Sequence, residues 1–207
     1  MGKYLSLILV FLTLMVNAQD SDQLAIEEIE AHREKQRKEF QDPDESPLEA
    51  KDLKHFSDLD YFPIDLKYRV TARYKEHDTK KFVRIKTTTD RLPEYVRFAA
   101  LTFDIDGETY TLQAYQNQEL LTDPEYSDYL FIPFNDNTNG DETYGGGRYI
   151  DFRIPQKAET ILDFNQCYNP YCCYNGKYSC PIPPQENYLP VKIPAGVKDY
   201  KKSKKKK

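Results

Sequence analysis

The sequence predicts a mainly β protein: an antiparallel sandwich or a partly open barrel, with one or two helices at its N-terminal end. Three observations carry that expectation. Apolar residues recur at every second position in successive segments from Lys67 onward, the period of half-buried strands. Asp106-Gly107 stands between two such segments, and that dipeptide suits the two-residue type I′ turn of a hairpin. Helix-forming composition is confined to the residues before Phe56, so no crossover helices separate the strands.

The elements follow in order. Lys3, the apolar run Leu5–Val16 and the small-residue pattern Val16-Asn17-Ala18 read as a secretory signal peptide over residues 1–18, cleaved near Ala18. The mature chain is then extracytoplasmic, in the periplasm or secreted. The apolar run is short for a membrane span, so no span is expected. Leu24–Phe40 is rich in helix formers, with acidic residues ahead of basic ones and a narrow apolar stripe of Leu24, Ile26, Ile29 and Ala31. With the polar break through Glu45 it makes an N-terminal helix and linker over residues 19–45. Ser46-Pro47-Leu48-Glu49 reads as an N-cap, a first-turn proline and an acidic first turn, predicting a second helix through Phe56.

Tyr68, Val70, Ala72 and Tyr74 alternate with polar residues as a strand; Lys75–Lys81 reads as a turn, and Phe82–Thr88 as a second strand with Val83 and Ile85 on one face. Val96–Ile105 and Glu108–Gln116 flank the Asp-Gly turn. If Ile105 faces Glu108, then Leu101, Phe103, Tyr110 and Leu112 share the core face, while Thr102, Asp104, Thr109 and Thr111 share the wet one. Strands at Tyr129–Phe134, Thr143–Arg153 and around Leu189–Ile193 complete a single β-rich domain over residues 46–197. The tail, residues 198–207, carries a net +6 and leaves −11 for the rest of a chain whose total is −5. An acidic body with a disordered basic tail argues against nucleic-acid binding by the domain.

Residues 163–187 form a loop that holds all four cysteines and is rich in tyrosine and proline, too proline-rich for a helix or a central strand. Ordering so long a loop needs cross-links, aromatic packing or a ligand. Cys167, Cys172, Cys173 and Cys180 lack the paired spacing of a zinc site, and His32, His55 and His77 all lie far upstream, so neither metal nor cofactor is expected. Outside the cytoplasm the four should form disulfides, either Cys172–Cys180 with Cys167–Cys173 or Cys167–Cys172 with Cys173–Cys180. The Asn135–Glu142 loop spaces oxygen side chains like the start of a calcium loop, but Gly146 stands where the bidentate glutamate belongs, and a hairpin turn is the better reading. Gly145-Gly146-Gly147 permits close backbone approach. The Arg148 that follows shares its strand face with Ile150 and Phe152, so its guanidinium should be buried against a carboxylate, Asp163 or Glu186, or an anionic ligand.

The runs FIPFNDNTNGDETYGGGRYIDF and LDFNQCYNPYCCYNGKYSCPIPPQENYLPVKIPAG closely resemble a bacterial and archaeal family known as domain of unknown function 1684. Phe134, Asp136, Thr138, Gly140, Thr143, Tyr144 and Gly147–Tyr149 match its first block. Asp163–Asn165, Tyr168–Pro170, Cys172 and Tyr174 match its second, and Cys180, Pro181, Pro183, Pro184, Glu186, Asn187 and Leu189 its third. The resemblance implies no activity. It does imply that Cys172 and Cys180 form one unit, since both occupy family cysteine positions, with Cys167 and Cys173 an added pair. The function expected is binding of a small polar or anionic ligand, in a pocket between the 143–151 strand and the 163–187 loop, by Arg148, Asp151, Asp163, Asn165, Tyr171, Glu186 and Asn187. The alternatives are a hydrolase using Asp163 or Glu186 with Arg148, and a purely structural cross-linked domain.

Overall fold

The computed structural model describes residues 2–200, with side chains from Asp20 onward. The lysine tail beyond Tyr200, and the side chains on which the leader reading rests, lie outside the described residues. Helix α1 (Gly2–Gln41) is followed by the one-turn helix α2 (Ala50–Leu53) and strands β1 (Arg69–Arg84), β2 (Glu94–Ile105), β3 (Glu108–Asn117), β4 (Tyr129–Asp136), β5 (Arg148–Arg153), β6 (Glu159–Asp163) and β7 (Tyr188–Leu189). Among the described residues no helix is long and apolar enough to cross a membrane.

The strands form one curled sheet, a half-barrel in the order β5-β4-β3-β2-β1-β6, with every neighbour in that path antiparallel; β7 pairs with β4 in parallel. This is the partly open barrel of the sequence expectation. Its central hairpin has the expected register, Ile105 opposite Glu108. Asp106 and Gly107 have φ of 54° and 82°, the pair of left-handed residues that a type I′ turn demands. Leu101, Phe103 and Leu112 are buried and Tyr110 packs against them, while the Thr102 and Thr111 hydroxyls meet on the opposite face at 3.1 Å.

Other boundaries moved. Lys75–Lys81 is not a turn: β1 runs through it, and both halves pair with β2 on either side of a register shift between Glu76 and Lys81. Since β6 covers only Arg69–Arg73, β1 is the sheet edge beyond that point and its polar residues need no core. Strand β6 itself had no signal, having one deeply buried aliphatic, Leu162, in five residues. Helix α2 ends before Phe56, and Ser46 does not cap it. The Ser46 hydroxyl donates to the Phe40 carbonyl (2.7 Å) and accepts from the Leu48 amide (3.3 Å), closing the exit from α1 instead. On α1, Leu24 and Ala31 face solvent, and the buried stripe is Ala25, Ile29 and Phe40 with half-buried His32, Arg33 and Gln36 between them. Polar residues carry that face: Arg33 donates to the Phe62 carbonyl (3.0 Å) and lies over the Tyr61 ring, whose hydroxyl donates to Gln36 (2.9 Å).

The inner face of the sheet buries residues such as Leu101, Leu130, Ile132 and Phe134, and the returning C-terminal segment fills it with Leu189, Ile193 and Ala195. Strand β4 is buried on both faces. Its outward Phe131 joins Tyr95, Tyr115 and Tyr149 in a second apolar layer on the other side of the sheet, and this layer carries the site.

Candidate functional site

Period-two alternation decides what β5 offers to each side. Arg148 and Ile150 point inward; Tyr149 and Asp151 point outward, opposite Pro133 and Phe131 of β4. Tyr168 joins the free edge of β5 by an antiparallel bridge, with the Tyr149 and Tyr168 amides each donating to the other's carbonyl at 2.9 and 3.0 Å. The chain then turns over the outer face through Pro170, Tyr171, Tyr174 and Tyr178 to Pro181, where the Tyr149 hydroxyl donates to the carbonyl. Helix α1 closes the remaining side with His32, Lys35, Gln36 and Glu39. Together these walls enclose an open cleft of about 450 Å³. That size suits a small ligand.

The cleft is aromatic, and of its two carboxylates, Glu39 and Asp151, only Asp151 lacks a basic partner among the described residues. Asp151 Oδ1 accepts hydrogen bonds from the Tyr129 hydroxyl (2.6 Å) and the Tyr168 hydroxyl (2.5 Å). Burial, reinforced by the Asp151 charge, pushes both phenols far above their ordinary range, so they remain protonated donors. Oδ2 of Asp151 has no protein donor among the described residues and the side chain is exposed to the cleft. Burial lowers the His32 pKa, outweighing the opposing pull of Asp151 and of the Gln166 backbone, so the imidazole is neutral near pH 7. Its Nε2 is buried without a hydrogen-bond partner. At the rim, Lys35 is paired with Glu39 at 3.7 Å. One unmatched negative charge therefore sits among tyrosine rings.

Of the seven expected site residues, Asp151 and Tyr171 line this cleft. Arg148 lies three residues before Asp151 on one strand, hence on the opposite face. It is fully buried and donates to Asp136 (2.6 Å) and to the Ile193 and Ala195 carbonyls. Its carboxylate partner is thus neither Asp163 nor Glu186. Asp163 pairs with Arg69 (2.9 Å) and accepts from the Asn165 amide and side chain; Asn165 in turn exchanges hydrogen bonds with the Asp65 backbone. Glu186 takes Arg97 and the Tyr115 hydroxyl (2.6 Å) beside a separate cleft of about 360 Å³. Asn187, fully buried, accepts from the Gln113 amide and donates to the Gln113 and Pro133 carbonyls. Arg148, Asp163, Asn165 and Asn187 line neither cleft. Each is held by protein groups as a tie between segments, Arg148 through its two terminal nitrogens while its Nε is buried without a partner.

The Asn135–Glu142 loop is the hairpin-type turn. Asp136 Oδ1 accepts the Thr138 amide and hydroxyl, and Oδ2 takes Arg148. Of the three glycines that follow, Gly147 is the demanding one. Its φ is +88°, and a Cβ there would lie 2.7 Å from the Phe134 carbonyl oxygen. His32, Tyr129, Tyr149 and Tyr168 escaped the sequence reading as site residues. The outward parity of Tyr149 with Asp151 was the one signal available for any of them.

The expected pair of disulfides is not present: all four cysteines are thiols. Cys167 is buried in the inner core, its thiol against the Ala195 carbonyl, whereas Cys173 sits in a different cluster with Tyr174 and Phe40, facing Asp199. Cys172 and Cys180 do adjoin, the Cys172 amide donating to the Cys180 sulfur at 3.1 Å.

Comparison with known proteins agrees with this fold and names no activity. The chain is similar to an uncharacterised protein from gene locus rrnAC0354 of Haloarcula marismortui, whose solution NMR structure it matches with a TM-score of 0.68 and 35% identity over 86% of this chain and 97% of that one. No curated protein matches. A family profile described as protein of unknown function matches residues 54–198, which include β1–β7 and every strand-borne residue of the cleft. The chain therefore belongs to the DUF1684 family.

Proposed function

We propose that the protein binds a small polar molecule in the cleft between α1 and the outer face of β4 and β5, and that the ligand brings hydrogen-bond donors, on a cationic or hydroxyl-bearing group. The observation that carries this reading is Asp151: a carboxylate held by two tyrosine hydroxyls on one oxygen, with the other oxygen open to an aromatic cleft. Tyrosine faces attract cations and stack on the apolar faces of polar molecules. An anionic ligand is disfavoured, because the guanidinium that suggested one is held by Asp136 on the other side of the sheet. A clasp serving only to cover the sheet would leave no such cavity. If the leader functions as its pattern suggests, the ligand is met outside the cytoplasm.

The test is isothermal calorimetry, with tyrosine fluorescence as a second readout since the chain has no tryptophan. Probes are an alkylammonium ion, choline, a hexose and inorganic phosphate. The expected result is binding by an ammonium or hydroxyl probe and none by phosphate. Asp151→Asn should weaken it by about tenfold or more, the cost of a hydrogen bond to a charged group. Failure of every donor-bearing probe, or equal binding by Asp151→Asn, overturns the reading.

A further inference from the structure

We infer that Cys172 and Cys180 form a reactive dithiol site that reduces small-molecule disulfides by thiol–disulfide exchange, Cys172 being the attacking residue and Cys180 the resolving one. The two side chains come from opposite ends of the segment that covers the cleft: Cys172 from a 3-10 turn at Tyr171–Cys173, Cys180 from the stretch that pairs with Thr88. The Cys180 sulfur accepts the amide of Cys172 at 3.1 Å, two bonds from the Cys172 Cβ. That contact places the two cysteines side by side across the loop.

The pair is asymmetric in access and in surroundings. Cys172 is half-buried, while Cys180 is 7% exposed. Cys172 also has the Tyr144 hydroxyl 3.7 Å from its sulfur and the Thr88 hydroxyl beside it. These donors, the Cys180 thiol foremost, favour the thiolate and hold the Cys172 pKa down to about 6, while the Cys180 thiol is pushed well up by the same contact. A thiolate is the nucleophile in exchange. Cys167 and Cys173 are the opposite case, buried thiols pushed up to about 11 and about 12 by desolvation.

The chemistry balances with one disulfide compound RSSR as oxidant. The Cys172 thiolate attacks one sulfur, forming a mixed disulfide and releasing RS⁻. The Cys180 sulfur then attacks the Cys172 sulfur and expels the second RS⁻, which takes the Cys180 proton and leaves as RSH. The protein is oxidised by two electrons to the Cys172–Cys180 disulfide, and RSSR is reduced to two thiol equivalents.

The full chain, reduced with a phosphine and desalted, is mixed with 5,5′-dithiobis(2-nitrobenzoate) in native buffer. Thionitrobenzoate release is followed together with intact mass and peptide mapping. The expected result is release of two equivalents, no retained adduct, and a Cys172–Cys180 linked peptide, with a rate that falls as pH drops below about 6. Cys180→Ser should release one equivalent and keep a stable adduct on Cys172. Cys172→Ser should react about tenfold more slowly or worse. First reaction at Cys167 or Cys173, a lasting mixed disulfide on wild-type Cys172, or no reaction without denaturant each overturns the inference. The wild-type mapping stands even if a variant fails to fold.

Discussion

Arg148→Met is the most informative single change in the core. The arginine and its partner Asp136 are both wholly inaccessible, joined at 2.6 Å. The guanidinium also donates to the carbonyls of Ile193 (2.9 Å) and Ala195, fastening the returning C-terminal segment to the β4–β5 pair. Methionine keeps the apolar stem, so little cavity opens. What it removes is the charge. Asp136 Oδ2 then lies buried with no counter-ion, and breaking a buried pair from one side costs about 3–5 kcal/mol. Two carbonyls also lose their donor. We expect about 4 kcal/mol in urea unfolding followed by circular dichroism, against total stabilities of about 5–15 kcal/mol for domains of this kind. Lysine should not rescue, because one ammonium cannot reach a carboxylate and two separate carbonyls with the geometry of a planar fork. A second substitution checks the cause. Asp136→Asn in the Arg148→Met background keeps an acceptor for the Thr138 amide and hydroxyl but removes the stranded charge, so the double variant should be more stable than Arg148→Met. If Arg148→Met lies within about 0.5 kcal/mol of wild type, or Asp136→Asn makes it worse, the stranded charge is not what destabilises and the reasoning fails.

Asn187→Asp should cost more than Asn187→Ala: the carboxylate would face the Gln113 and Pro133 carbonyls that the amide now serves, repelling where alanine merely leaves them unpaired. Urea midpoints of the two variants decide this, and the reverse order would mean that the side chain is not the tie between β3 and β4. Acidification should destabilise the protein partly through His32. Its folded pKa lies below the ordinary 6.5, so the unfolded chain takes up the proton first, and stability falls as pH drops through 6.5 toward the folded value. His32→Gln should flatten the slope of melting temperature between about pH 7 and pH 5; an unchanged slope would show that other groups account for it.

The fold was legible where local chemistry dictates geometry. Asp106-Gly107 demands two left-handed residues, and the alternation on either side then leaves one register for the hairpin. Burial of Arg148 followed from its parity with Ile150. Its partner did not follow, because Asp136 belongs to the preceding strand across a connection of ten residues and more, whose length leaves the β4–β5 register open. Once Phe134 is set opposite Arg148, Asp136 falls on the same face one pleat further on, within diagonal reach. The helix stripe was misplaced for a different reason. Its buried Ala25, Ile29 and Phe40 are bridged by half-buried His32, Arg33 and Gln36, polar residues that no apolar count detects.

The cleft was the least legible part, since its walls come from α1, β2, β4, β5 and the cysteine-bearing loop, segments whose proximity is set by the curl of the sheet. Even so, a constraint was available in the sequence: Arg148 and Asp151 could not share a pocket, being of opposite parity on one strand. That division has a physical consequence. The inner face of β5 spends its charge on holding the C-terminal segment, so Arg148 substitutions should move stability first and binding only as the strand shifts. The outer face leaves a carboxylate oxygen uncommitted, so Asp151→Asn should move binding and leave the inner core intact. Charged residues in neighbouring positions of one short run thus do different work. The alternation of the strand, rather than their closeness in sequence, decides which is a tie and which a site.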